Sequence, residues 1–231
     1  MRTGLYLFLF IVVFGAVFLF KGSRVMVKDT KKLSSSITLP EAEFDSGNSV
    51  EKAIKSRRSI RSYEDKKLTL EQVSQLLWAA QGITNPKGLR VAPSAGALYP
   101  MEVYVVAGKV KDLDPGIYKY NCDEHSLYLV ESGDKRSELS EVAMSQDSVA
   151  DGMINIVICG VYERTSIKYG SRAERYVHME AGHIAQNIYL QAVSLGLGTV
   201  TVGAFDDEYV REVVGAEHDE RPLYIMPIGV I

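Results

Sequence analysis

The chain has 231 residues, 46% of them hydrophobic and 24% charged, enough to bury one large core. Its net charge of -3 offers no overall basic face for nucleic acid. Two cysteines, Cys122 and Cys159, exclude a disulfide-stapled fold and a four-cysteine zinc site.

Gly4 to Phe20 (GLYLFLFIVVFGAVFLF) is an uninterrupted apolar run between Arg2 and Lys21. As a helix it would span about 25 Å, slightly less than the roughly 30 Å hydrocarbon core, and the flanking cations can snorkel to make up the difference. The small-residue cleavage site of a signal peptide is missing before Lys21-Gly22-Ser23-Arg24. Residues 1–21 are therefore expected to be a transmembrane anchor rather than a cleaved signal segment. Lys21, Arg24, Lys28, Lys31 and Lys32 follow the run, against Arg2 before it, which puts the following domain on the cytoplasmic side. Residues 22–48 are polar, include Ser34-Ser35-Ser36, and read as a linker.

The folded body is expected over residues 49–231. Ser49–Ser56 reads as a short helix that ends at the basic cluster Arg57-Arg58-Ser59-Ile60-Arg61. A second helix begins at Thr69, with Gln72 completing a T-x-x-Q capping box, Val73, Leu76, Leu77 and Ala80 as its buried stripe, and Gly82 as its stop. Met101–Ala107 is rich in β-branched and aromatic residues and predicts a strand. Residues 117–120 and 126–130 predict a hairpin, and Asp134–Met144 an amphipathic helix. Ile154–Val161 is continuously apolar, as expected of a strand covered on both faces. The longest helix runs from about Arg172 to Leu195, apolar nearly all round in its second half and so expected to be buried. Thr199–Val202 predicts a strand, Asp206–Val214 a helix, and Leu223–Val230 the last strand. Strands and helices mixed this way fit an α+β sandwich better than a regular βαβ series.

Several chemistries lack their residues. No G-x-G-x-x-G follows a strand and no G-x-x-x-x-G-K-[ST] occurs. His178 and His183 lie five apart, on different helix faces, where H-E-x-x-H chemistry needs a spacing of four. One E-x-x-H (Glu180, His183) is half of what a di-iron bundle needs, so no metal is expected. Glu180, His183, Gln186, Asn187 and Gln191 instead suit a satisfied core, a ligand pocket or a subunit interface.

Arg57, Arg58, Ser59 and Arg61 bring three guanidiniums and a hydroxyl together at a helix end, a set suited to a phosphate as well as to a solvated charge run. Their company decides between these. S-R-R-S-I-R-S-Y (56–63) is followed by L-T-L-E-Q-V-S-Q-L-L-W-A-A-Q-G-I-T (68–84). Then come A-P-S-A-G-A-L-Y-P-M-E-V-Y (92–104) and E-A-G-H-I-A-Q-N-I-Y-L-Q-A-V-S-L-G-L-G-T (180–199). This order resembles the nitroreductase-like flavoproteins, and within them the SagB-type dehydrogenase branch, from about Ile37 to Ile231.

The resemblance implies an FMN-dependent oxidoreductase with a three-layer sandwich, a central mostly antiparallel sheet and a long buried helix. It implies a homodimer with flavin at the subunit interface. Arg57, Ser59 and Arg61 would then hold the FMN phosphate and ribityl chain, with Arg58 beside the ring. Pro93, Ser94 and Ala95 would reach the flavin from the partner subunit, with Ala97 where many relatives carry asparagine. Thr201, Val202, Gly203 and Ala204 would present backbone groups to the ring. A glutamate stands at the Gly203 position in simple nitroreductases, and its absence points to the SagB-like branch. Relatives often carry further basic phosphate ligands beyond the last strand; here the sequence ends at Ile231, which throws the weight on Arg57 and Arg61.

In this chemistry a hydride passes through flavin N5. Azoline-forming relatives carry a Lys-Tyr pair before the long helix, and Lys168-Tyr169 stands at the matching place as the candidate base. Two functions follow. The first is a redox enzyme that oxidises an azoline in a peptide, or reduces a small organic substrate with NAD(P)H. The second is a non-catalytic flavin-binding or scaffold protein of a membrane-associated complex.

Overall fold

The structure, a computed structural model, describes residues 36–231. The apolar run Gly4–Phe20, and the anchor expected of it, lies outside the described residues. Among the described residues no helix is long and apolar enough to cross a membrane.

Helix α1 (Val50–Ser56) starts where the Ser49 hydroxyl accepts the Lys52 N–H at 3.2 Å. Helix α2 (Leu70–Gln81) carries the expected capping box: Thr69 Oγ1 accepts from Gln72 N–H at 3.2 Å and Gln72 Oε1 from Thr69 N–H at 2.9 Å. Its stripe Val73, Leu76, Leu77 and Ala80 is wholly buried.

Seven strands form one sheet: β1 (Ser36–Thr38), β2 (Met101–Ala107), β3 (Gly116–Asn121), β4 (Ser126–Ser132), β5 (Ile154–Gly160), β6 (Leu197–Thr199) and β7 (Arg221–Val230). Their order is β1-β4-β3-β2-β5-β7-β6, and every neighbouring pair is antiparallel. Central β5 is buried at all seven residues, because both faces of the sheet are covered. Alternation along the strands feeds two cores. Val103, Val105, Ile156 and Ile158 meet α2 and the long helix α6 (Ala173–Ser194) on one face. Tyr104, Val106, Val157 and Cys159 meet α3 (Arg136–Val142), α4 (Asp147–Asp151) and α7 (Asp207–Val214) on the other. Helix, sheet and helix stack as the expected three layers.

Three expectations change. The segment read as linker ends earlier, since Ser36–Thr38 pair with β4, Leu39 is buried, and Glu43 N–H donates to Gln75 Oε1 at 2.8 Å. Three residues of Ser-Ile-Thr carry no visible period, so only the partner strand defines β1. The strand expected at Thr199–Val202 sits at Leu197–Thr199, and beyond it the chain leaves the sheet, touching β7 again only at Val202. Helix α6 is buried on one face, through Val177, Ala181, Ile184 and Ile188. Met179, 54% exposed, lies with exposed His183 and Gln186 on a face that the described residues leave open. Helix α5 (Tyr162–Tyr169) was not expected, because only Thr165 of it is buried and no apolar stripe marks it.

Candidate functional site

After α1 the chain runs extended, and Ser59 forms a parallel bridge with Thr199, Ile60 N–H donating to Thr199 O at 2.9 Å. Two segments 140 positions apart thus meet, and Tyr189 of α6 joins them. Its hydroxyl accepts the Thr201 N–H at 2.9 Å, lies 3.2 Å from Ser59 Oγ, and its ring lies 5.0 Å below the Arg57 guanidinium. Burial pushes the Tyr189 hydroxyl up. The hydrogen bonds from Ser59 and Thr201 and the Arg57 charge outweigh burial and hold it below the ordinary tyrosine value. Neither Arg57 nor Arg61 has a carboxylate partner among the described residues. Thr199 is 2% exposed and its Oγ1 has no partner.

Arg58 behaves differently. Its guanidinium turns back on α1 and donates to Lys55 O at 3.1 Å and Arg57 O at 2.7 Å, closing the helix C-terminus. Among the four ring-facing candidates, Val202 exchanges both backbone groups with Ile225, at 2.8 and 3.0 Å. Thr201 N–H is taken by Tyr189, and Ala204 O accepts from Gln146 Nε2 at 3.1 Å. Gly203 is exposed, and no hydrogen bond among the described residues engages its backbone. The offer of backbone donors narrows from four residues to Gly203 and the Ala204 N–H.

Pro93, Ser94 and Ala95 lie at the other end of α6, in a tight loop where Ser94 Oγ accepts the Tyr99 N–H at 2.9 Å. Gly96, Ala97 and Tyr99 have φ of 66°, 53° and 46°, left-handed conformations that only glycine adopts at no cost. Ala97 is exposed and has no side-chain hydrogen bond to offset the strain. Ala97→Gly should therefore raise unfolding free energy by about 0.5–1 kcal/mol in urea titration, the relief of strain exceeding the extra chain entropy. A loss of stability would mean that the loop is not held left-handed in solution.

Lys168 and Tyr169, the last residues of α5, flank this loop. A Cβ added at Gly96 would come within 2.9 Å of Tyr169 OH and 3.0 Å of Lys168 Nζ. Tyr169 packs edge-on against Tyr176, centroids 5.0 Å apart, and Lys168 is exposed. Glu180 of α6 is 2% exposed with Oε1 unpartnered. Burial pushes its carboxyl up to about 7, while the Ser94 hydroxyl and the Arg90 charge hold it back.

The site residues thus gather in two groups within one chain. Glu180 and Tyr189 are nine residues apart on α6, about 13 Å along the helix axis. Tyr189 and Thr199 were not among the sequence candidates, and Glu180 was named only as a residue of a core, a ligand pocket or a subunit interface. A tyrosine inside an aliphatic stripe was the available signal for Tyr189, since a buried hydroxyl needs partners.

The sequence matches the nitroreductase family model, described as "Nitroreductase family", over residues 54–230. The chain belongs to the nitroreductase family. It is 46% identical over 173 residues to a protein named as a nitroreductase in Methanocaldococcus jannaschii, covering 75% of this chain and 86% of that one. It is 27% identical over 189 residues to the microcin B17-processing protein McbC of Escherichia coli, covering 74% of this chain and 65% of McbC. A crystal structure described as a nitroreductase from Ralstonia eutropha JMP134 superposes with a TM-score of 0.74 at 30% identity, covering 86% of this chain and 90% of that one. Members of this family are FMN-dependent oxidoreductases, and the chain is one of them. The residues present fit the cofactor: two guanidiniums without a paired carboxylate among the described residues, the Ser59 hydroxyl, the Thr199 hydroxyl and the open backbone of Gly203 lie in the segments that meet at Ser59 and Thr199.

Proposed function

We propose that this oxidoreductase is a SagB-type dehydrogenase that oxidises an azoline ring in a peptide, working as a homodimer. One observation carries the reading: Lys168 and Tyr169 close over the Pro93–Ala97 loop at Gly96. The likeness to McbC, a microcin-processing protein, supports it. Arg57, Ser59 and Arg61 would hold the FMN phosphate end, with Gly203 and Ala204 beside the ring. The Pro93-Ser94-Ala95 loop would come from the second copy, which would settle on the open face of α6 and join groups that one chain keeps about 13 Å apart.

When bound, FMN supplies the hydride acceptor. Oxidation of an azoline to an azole removes one hydride and one proton. Lys168 Nζ, in its neutral form, takes that proton from the ring carbon, and the Tyr169 hydroxyl beside it orients the amine.

Lys168→Ala should retain the flavin spectrum and lose azoline oxidation by about 100-fold or more, the usual worth of a positioned base. Unchanged turnover would remove Lys168 from the chemistry. The likeness to the Methanocaldococcus protein favours a second reading, an NAD(P)H-dependent reductase. Anaerobic NAD(P)H separates the two. A dehydrogenase keeps its flavin bands under NAD(P)H and loses them with an azoline peptide, whereas bleaching by NAD(P)H makes the protein a reductase.

A further inference from the structure

Beside the Pro93–Tyr99 loop, a cavity of about 390 Å³ opens between the end of α2, the start of β2 and the β3–β4 hairpin. Its size suits a small organic molecule. Three cations reach its wall, and two of them are neutralised within the chain. Lys119 lies 3.3 Å from Glu102 and 2.5 Å from Glu220, and Arg164 lies 2.5 Å from Glu102.

Arg90 is the exception. It has no carboxylate partner among the described residues: one guanidinium nitrogen donates to the neutral Gln81 Oε1 at 2.8 Å, and the plane stacks 4.6 Å over the Tyr99 ring. Gln81 is 2% exposed, and its Nε2 is buried with no acceptor among the described residues. A cation without a directly paired carboxylate and an amide donor without an acceptor therefore stand side by side, and each is costly to leave unmet. One group satisfies both. A carboxylate can accept from the guanidinium fork with one oxygen and from the Gln81 amide with the other.

The rest of the wall sets the ligand's other properties. With Glu102 and Asp123 also in the lining against Arg90, Lys119 and Arg164, the wall carries one excess positive charge, which suits a monoanion better than a dianion such as a phosphate monoester. Met101, Val103 and Tyr120, all buried, offer an apolar side for the ligand body. We propose that this cavity binds a small organic monocarboxylate, its charged end on Arg90 and Gln81 and its apolar body along Met101, Val103 and Tyr120.

The position gives such a ligand a route to the flavin chemistry. Arg90 N–H donates to Tyr99 OH at 3.1 Å, and Arg164 donates to Tyr99 O at 3.3 Å, so hydrogen bonds tie the cavity wall to the strained Ser94–Tyr99 loop. An occupant that draws on Arg90 stiffens that loop. The assignment holds whichever substrate the flavin serves.

The test uses the full-length protein loaded with FMN, so that the phosphate seam is already filled. 3-Phenylpropionate should raise the melting temperature and give a calorimetric binding isotherm, and 3-phenylpropionamide, of the same shape without the charge, should do neither. Gln81→Glu supplies Arg90 with an internal carboxylate; it should leave the unliganded melting temperature in place and weaken the acid at least about tenfold. Arg90→Met should abolish acid binding. Equal binding of acid and amide, no binding of the acid at millimolar concentration, or full binding by Gln81→Glu would each overturn the assignment. All these readouts are independent of turnover, so their failure is distinct from failure of the dehydrogenase reading.

Discussion

Arg57→Ala combined with Arg61→Ala is expected to yield a folded protein that purifies without FMN. In the proposed site each guanidinium would contribute a charge-assisted contact to the phosphate, about 1.5–3 kcal/mol apiece, so the pair would be worth roughly 10²- to 10⁴-fold in affinity. The fold has little to lose. Arg61 is exposed, neither side chain is ion-paired with a carboxylate among the described residues, and Arg57 gives up only its place over the Tyr189 ring. That stacking is worth about 0.5–1 kcal/mol. Arg58→Ala makes the contrast, because its guanidinium is already spent on the carbonyls of Lys55 and Arg57. It should lose a little helix stability and keep its flavin. The ratio of flavin to protein absorbance, read beside a thermal melt, decides the matter. A full flavin complement in the double variant would move the phosphate away from this seam.

The seam also shows what a sequence can and cannot disclose. The capping box at Thr69 and Gln72, the strand Met101–Ala107 and the doubly covered strand at Ile154 were legible because their signals are local: a cap, a run of β-branched residues, an apolar stretch bounded by turns. The short strand Ser36–Thr38 was not, because its partner lies about ninety residues away and supplies all the definition. The same reason hides the contact of Ser59 with Thr199, which only the sheet and α6 bring about. Residue types put forward the anion grip and the Lys-Tyr pair as candidates. Their division into two groups along α6 is a property of the helix's length and of its open face, and no motif encodes it. Arg58 illustrates the limit most plainly. Its neighbours Arg57 and Arg61 have the same chemistry, and only the nearby helix terminus engages the Arg58 guanidinium.

Glu180→Gln is expected to remove a pH dependence that the wild-type protein carries through a single side chain. The Glu180 carboxyl sits at about 7 in the fold, against 4.5 when unperturbed, because burial disfavours its charge. Between those values the folded state holds a proton that the unfolded state has released. Stability therefore falls as pH rises through the window from about 4.5 to 7, and the loss is complete above it. A shift of this size corresponds to a loss on the order of 3 kcal/mol. Glutamine keeps the shape and carries no charge, so the variant should match the wild type near pH 4 and exceed it by about 2–3 kcal/mol near pH 8. Urea unfolding at a series of pH values reads both arms. If the downward slope survives in the variant, another group is its source. The location gives the effect a meaning for the site. Glu180 faces the Ser94 hydroxyl and the Arg90 charge, and Ser94 belongs to the loop that Lys168 and Tyr169 flank. A buried acid that costs the fold this much near neutral pH, against the loop that the proposed base flanks, is placed to hold a proton close to that loop.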